Sequence, residues 1–260
     1  MPSIVALFNM SGGVGKSTLT MNLGYHLAVD HKKQVLLVDM DPQASLTTFT
    51  GLTPFEMPKT IFHSILSREP LAIESGVVHC DLVPSNIFLA QAELKLASEL
   101  RREYRLSDML VTVASSYDII LIDCPPSLGL LSVNCLVAAD LLLIPIQTEY
   151  KSVEATINLL RTTYEIANQV NPYLRVLGAV PTMYDERTSQ CRQALDTIEE
   201  VFKSLKDNPS FKEAMVFPPV PRRTDFANAT VKHLPLALYA PRHSALVSLQ
   251  AVACVLARKV

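Results

Sequence analysis

Residues 11–18 read Ser-Gly-Gly-Val-Gly-Lys-Ser-Thr, and this spacing is suited to holding a phosphate chain. Gly12, Gly13 and Gly15 allow successive backbone amides, together with that of Val14, to turn inward on an anion, and a helix N-terminus behind them adds partial positive charge. Lys16 would reach the β- and γ-phosphates of a nucleotide, the Ser17 hydroxyl would sit on a magnesium ion, and Ser11 and Thr18 count among the nucleotide-binding residues at the ends of the loop. The usual pattern has a further glycine five positions before Gly15, where this chain has Met10. Two acidic segments stand beside the loop in the reading: Asp39-Met40-Asp41-Pro42-Gln43 and Asp123-Cys124-Pro125-Pro126. Alone, Asp39-Met40-Asp41-Pro42 is as readily an ordinary turn, whereas Asp123 capping a turn before Pro125 is the weaker reading. What raises them above that is the structure expected around them.

The loop follows an apolar run, Ile4–Phe8, that reads as a buried strand, and precedes Leu19, Leu23 and Leu27 at helical spacing. Further apolar runs predict strands at Val35–Val38, Leu82–Pro84, Ile119–Ile122, Leu141–Pro145, Leu174–Pro181 and Val216–Val220. Helical patterns lie between them, with Val153, Ile157, Leu160 and Tyr164 on one face and a last helix around Ser244–Leu256. Strands alternating with helices, and apolar throughout rather than alternately, imply an α/β fold. It is expected to be a doubly wound, mostly parallel twisted sheet with helices on both faces. Ligands bind such sheets at the carboxyl ends of the strands, where the loop, Asp41 and Asp123 all fall. No linker, repeat or charge block interrupts the 260 residues, of which 49% are apolar, so one domain spanning residues 1–260 is expected.

A net charge of −2 excludes a globally basic nucleic-acid binder while leaving room for local patches. Cys80, Cys124, Cys135, Cys191 and Cys254 show no paired spacing suggestive of zinc or a disulfide framework, which suits a reduced cytoplasm. The N-terminal apolar run is too short for a signal peptide, and no stretch reaches membrane-spanning length.

The compact loop without its early glycine resembles that of the deviant Walker ATPases, the ParA/MinD family. Val35–Ala44 is similar to that family's strand ending in Asp-x-Asp-Pro-Gln, and Ile119–Pro126 to its Walker B strand. Leu82-Val83-Pro84-Ser85-Asn86, Pro145–Tyr150 and Thr182-Met183-Tyr184-Asp185-Glu186-Arg187-Thr188 are similar to further ParA landmarks in the same order. The resemblance implies an ATPase using ATP and Mg2+. It assigns Asp123 and Asp39 to the magnesium shell with Ser17, Asp41 to polarising the attacking water, and Met183 and Pro221 to nucleotide binding. It also implies a homodimer that sandwiches ATP, non-specific binding of double-stranded DNA through Arg187, Arg222 and Arg223, and a nucleoid-associated location. A small adaptor protein, McdB-like or ParB-like, would stimulate hydrolysis.

One departure stands out. The family's signature lysine, which reaches the partner's phosphates, is replaced by Ser11, while Lys151, the sole lysine between Lys95 and Lys203, follows the Gln-Thr-Glu-Tyr segment. A serine there with a relocated lysine resembles the McdA branch, which spaces carboxysomes, and implies that Lys151 acts in trans. The alternative is a plasmid or chromosome partition ATPase. A MinD-type relative would need a basic amphipathic C-terminal helix, whereas Ala251–Val260 is mostly apolar, so no stable membrane anchor is expected. An amidotransferase-type synthetase would require a further domain that 260 residues leave no room for.

Overall fold

The computed structural model describes residues 2–149, Leu160, Gln169 and residues 171–259. Among these, eight strands form one sheet: β1 (Ser3–Leu7), β2 (Val35–Asp39), β3 (Glu74–Val77), β4 (Cys80–Val83), β5 (Ile119–Asp123), β6 (Leu141–Gln147), β7 (Arg175–Thr182) and β8 (Met215–Val216). Their spatial order is β3-β4-β2-β5-β1-β6-β7-β8. Every neighbouring pair is parallel except β3 and β4.

Continuous apolar composition is what a parallel sheet covered on both faces demands. Along β1 and β5, successive side chains drop into two separate cores. Ala6, Ile120 and Ile122 face one, with Leu36, Val38 and Ile144. Val5, Leu7, Ile119 and Leu121 face the other, with Leu37 and Leu143. The second core is closed by helix α1 (Lys16–Val29) through Leu19, Leu23 and Leu27, and by the last helix, Leu246–Ala257, through Leu249, Val252 and Leu256. The doubly wound expectation therefore holds, and the last helix buries its apolar side within the protein. No helix among the described residues is long and apolar enough to cross a membrane.

Two strand expectations differ. The edge strand β3 has no apolar signature; it pairs antiparallel with β4 through a turn in which Val78 and His79 both have positive φ, +46° and +69°. Such a hairpin turn favours Asn-Gly, so Val-His hides it from sequence reading. The strand expected over Val216–Val220 shrinks to Met215–Val216, because Pro218 and Pro219 have no N–H to donate to a ladder. Of the helix face Val153, Ile157, Leu160 and Tyr164, only Leu160 lies within the described residues, where it is helical and buried. Lys151 also lies outside them.

The chain leaves β1 for β2 on one side, whereas β5 feeds β6 on the other side of β1. Loops diverge where such connections part, leaving a crevice at the strand ends. The glycine-rich loop occupies that position. Leu7 pairs with Asp123 in register, and Asp39 pairs with Asp123 from the other side.

Candidate nucleotide site

The loop between β1 and α1 is held open by two glycines in left-handed backbone, Gly13 at φ +74° and Gly15 at φ +90°. A Cβ at either would meet nothing within 4 Å, so the constraint there is backbone conformation, and the space beside them is open. Asn9 anchors the start of the loop: its side-chain amide donates to the Pro145 carbonyl (2.7 Å) and its Oδ1 accepts from the Ser11 N–H (2.9 Å). Thr182 fixes the middle by donating from Oγ1 to the Val14 carbonyl at 2.9 Å.

Lys16 is buried, and its ammonium donates to the carbonyls of Asn9 and Ser11, both at 3.0 Å. Burial lowers its pKa, and the nearby acidic groups, Asp123 first, act in the opposite direction. Asp39 and Asp123 are both 0% exposed at the ends of adjacent strands. Asp39 is fully engaged: Oδ2 accepts from the Thr47 N–H and hydroxyl (2.9 and 2.7 Å), and Oδ1 from the Asp41 N–H (3.1 Å). Burial nevertheless pushes its carboxyl up to about 7. Neither oxygen of Asp123 has a hydrogen-bond partner among the described residues. Burial, followed by the Asp39 charge, raises Asp123 well above the usual carboxylate range. The Ser17 hydroxyl, beside it but outside good hydrogen-bond geometry, offsets this only in part. A buried carboxylate with two unused oxygens is suited to a cation.

Asp41 is raised by burial, with the Gln43 N–H and the Lys16 charge acting in the opposite direction. It borders a cavity of about 220 Å³ together with Gly12, Gly13, Lys16, Ser17 and Pro126. A second cavity of about 370 Å³ adjoins it, sharing Gly15, Thr18, Phe49 and Met183. This one is mostly apolar, lined by Val14, Pro221 and Phe226, with Arg222 and Arg223 among its walls. A polar pocket at a helix N-terminus leading into an apolar slot matches a ligand with a phosphate chain at one end and a flat apolar ring at the other.

Most residues expected from the sequence thus converge. Gly12–Thr18, Asp41, Met183 and Pro221 border the two cavities, apart from Asp39 and Asp123 at the strand ends and Ser11, whose carbonyl holds Lys16. Arg187 lines neither. Its guanidinium grips Asp185 in two prongs, at 2.9 and 2.8 Å, and holds the Asp185 carboxyl down to about 2. Sequence reading missed Phe49, Phe226 and Thr230, which carry no motif of their own and reach the cavity only because their helices pack there. Asn9 was also missed, though a polar residue ending an apolar strand before the glycines is a usable signal. Two non-glycine residues with positive φ, Ala44 (+52°) and Met183 (+53°), flank the site, a backbone strain that often marks functional loops.

Residues 2–176 match the AAA domain family. The chain is 38% identical over 203 residues to the chromosome partitioning protein ParA of Myxococcus xanthus, covering 77% of this chain and 71% of that one. A solved structure of cobyrinic acid a,c-diamide synthase from Mycobacterium smegmatis, with bound ADP and magnesium, superposes with a TM-score of 0.82 at 32% identity, over 99% of this chain and 95% of that one. A Cyanothece McdA–ATP complex gives a TM-score of 0.83 at 22% identity, over 100% and 97%, which speaks for the fold alone.

Proposed function

The chain belongs to the ParA/MinD family of P-loop ATPases, and from that premise we propose that its 260 residues form one domain working as a partition-type switch. In this reading the ATP-bound chain dimerises, holds double-stranded DNA without regard to sequence, and positions a cargo until an adaptor triggers hydrolysis. The site of action would be the nucleoid in the cytoplasm. The observation that carries the reading is Asp123, a buried carboxylate with both oxygens unused at the end of β5, behind the Lys16 and Ser17 that line the phosphate-sized cavity.

Mg2+ fits these residues. It is commonly held by one or two carboxylates, substrate phosphates and water, and Asp123 with the Ser17 hydroxyl offers that partial shell. When bound, it would neutralise charge on the β- and γ-phosphates. Asp39 has all its donors inside the fold, so it supports the loop that carries Asp41 more directly than it supports a metal. Lys16 would leave the Asn9 and Ser11 carbonyls for the phosphates. Asp41, raised by burial and open to the cavity, would orient and polarise the attacking water. Met183, Pro221 and Phe226 would receive the base. Phosphoryl transfer needs little more than such positioning and compensating charge.

The 38% identity to a partitioning protein supports the partition reading. Ser11 and Lys151 favour a second one, in which the same switch spaces carboxysomes as in the McdA branch and Lys151 reaches the partner's nucleotide. The synthase of similar length weakens the length argument against a synthetase, since a chain matched over 95% of its extent carries that name. One experiment separates these readings. Light scattering with a non-hydrolysable ATP analogue should show a dimer that retains random-sequence duplex DNA, and no nucleotide-dependent dimer or DNA retention would overturn the switch. Lys151→Ala should abolish that dimer if the lysine acts in trans. A variant that dimerises fully would leave partition as the remaining reading, and rescue of activity by Ser11→Lys would point the same way.

A further inference from the structure

The loop carrying Asp41 is not held by its own residues alone. After β2 it passes into the short helix Ser45–Phe49, entered through the positive φ of Ala44. Thr47, in that helix, donates its N–H and hydroxyl to Asp39 Oδ2, and its Oγ1 accepts the N–H of Ser85 at 2.9 Å. The Ser85 hydroxyl donates to the main-chain carbonyl of Asp41 at 2.8 Å. The Asp41 N–H returns to Asp39 Oδ1 at 3.1 Å, closing a ring through Asp39, Thr47, Ser85 and Asp41. Asp39, Thr47 and Ser85 are each 0% exposed. Ser85 follows β4, which runs beside β2 with Val38 opposite Val83, so the ring ties the carboxyl ends of two neighbouring strands together. It also gives the Pro-Ser segment, which no catalytic role had absorbed, a task.

We infer that Thr47 and Ser85 are positioning residues for hydrolysis: they fix the main chain of Asp41, and with it the place of its carboxylate over the phosphate cavity. The inference rests on the reading that Asp41 orients the attacking water. The ring holds the Asp41 N–H and carbonyl on either side of its Cα, and the Gln43 N–H donates to Asp41 Oδ1 at 2.9 Å, so the place of the carboxylate follows from the main chain the ring fixes. Removing the Thr47 hydroxyl leaves the buried Ser85 N–H without its partner, and removing the Ser85 hydroxyl leaves the Asp41 carbonyl held only by the Ala44 N–H of its own loop. The loop would then relax, and displacement of a reacting group by about 1 Å costs on the order of 10²-fold in rate.

The test is Thr47→Val, which removes the hydroxyl at nearly constant volume, beside Thr47→Ser, which keeps it, and Ser85→Ala. At saturating ATP and magnesium, Thr47→Val should turn over about 10- to 100-fold more slowly while calorimetric affinity for a non-hydrolysable ATP analogue changes less than about threefold. Thr47→Ser should recover most of the loss. In an Asp41→Ala background, Thr47→Val should cause no further decline. Wild-type turnover by Thr47→Val beside a slow Asp41→Ala overturns the positioning role alone. Wild-type turnover by Asp41→Ala overturns the water-orienting reading and this one with it. Equal loss of affinity and turnover would mark a merely structural role. A raised magnesium requirement with unchanged maximal turnover would move the ring's action to the metal, and either result overturns the inference. If Thr47→Val fails to fold, Ser85→Ala decides by the same readouts.

Discussion

Asp39 and Asp123 stand opposite each other on adjacent parallel strands, are equally buried, and differ in one respect. Asp39 accepts three hydrogen bonds from its own chain, while Asp123 accepts none among the described residues. The first is tied into the folded structure; the second is a buried carboxyl that the fold leaves without a partner, beside the phosphate loop. Burying a polar group without partners costs stability, so its persistence at the base of a phosphate loop argues for a cation supplied with the ligand. The same contrast separates other charges in the molecule. Lys16 is held on two carbonyls it can exchange for phosphates, and Arg187 is held by Asp185.

The largest effect should come from the charge the cavity shares with its ligand. Lys16→Ala removes the nearest counter-charge for two phosphates, each worth about 1.5–3 kcal/mol as a charged hydrogen bond. Calorimetric affinity for ATP should fall by about 10²- to 10⁴-fold; equal affinity for variant and wild type would remove the phosphate assignment.

The two aspartates themselves should respond in opposite directions when magnesium and nucleotide are left out. Asp39→Ala strands three donors in the core and should destabilise the chain by about 3 kcal/mol. Asp123→Ala removes an unpartnered buried carboxylate and should leave stability unchanged or raise it. With magnesium and nucleotide present, Asp123→Ala should instead fail to gain the stability that the wild type gains by binding. Denaturant titrations of the four samples check this, and a loss of stability for apo Asp123→Ala as large as that for Asp39→Ala would break the comparison.

A smaller effect follows from titration. Asp39 rises from an ordinary 3.8 to about 7, and Asp123 rises in the same direction, both chiefly through burial. Between about pH 4 and pH 7 the folded chain therefore retains protons that the unfolded chain has released, so stability falls as pH rises through that window. The penalty is absent below the unfolded value and complete for Asp39 above about pH 7. Thermal midpoints of the apo chain should decline from pH 5 to pH 7.5, less steeply in Asp39→Asn, and magnesium with nucleotide should flatten the slope by favouring ionised Asp123. A flat apo profile would show that other groups outweigh these two.

The sequence made the phosphate loop legible because glycines and a lysine at fixed spacing follow an apolar strand and precede a helix. The acidic residues were legible for the same reason: Asp39 and Asp123 end strands whose apolar runs are unmistakable. What was not legible was their difference. Asp39 is satisfied by Thr47 in the next helix, and Thr47 in turn by Ser85 from another strand, contacts that depend on register rather than on any local pattern. The apolar cavity was legible only in part, since the family resemblance pointed to Met183 and Pro221 but nothing in the sequence pointed to Phe49 and Phe226. The edge strand β3 was lost because its hairpin turn is built from Val78 and His79, residues that disfavour the backbone they adopt there.

The smallest effect, and the last use of the contrast between satisfied and unsatisfied charge, concerns DNA. Arg187 is 81% exposed in its side chain yet gives both prongs to Asp185, whereas no ion pair or side-chain hydrogen bond engages the Arg222 side chain among the described residues. A phosphate contact by Arg187 would have to displace a carboxylate already in bidentate geometry, while one by Arg222 would not. If this region tracks the backbone of DNA, Arg222→Ala should flatten the salt dependence of binding by about one unit of slope, uniformly across sequences, and Arg187→Ala by less. Asp185→Ala should release Arg187 and tighten binding. These slopes come from fluorescence anisotropy of random-sequence duplexes over a series of salt concentrations, with nucleotide saturating. An Arg187→Ala defect larger than that of Arg222→Ala would show that the Asp185 pair positions the arginine for DNA instead of occupying it. No defect in either would leave both arginines as solvated surface and return the walls of the apolar cavity to the nucleotide alone.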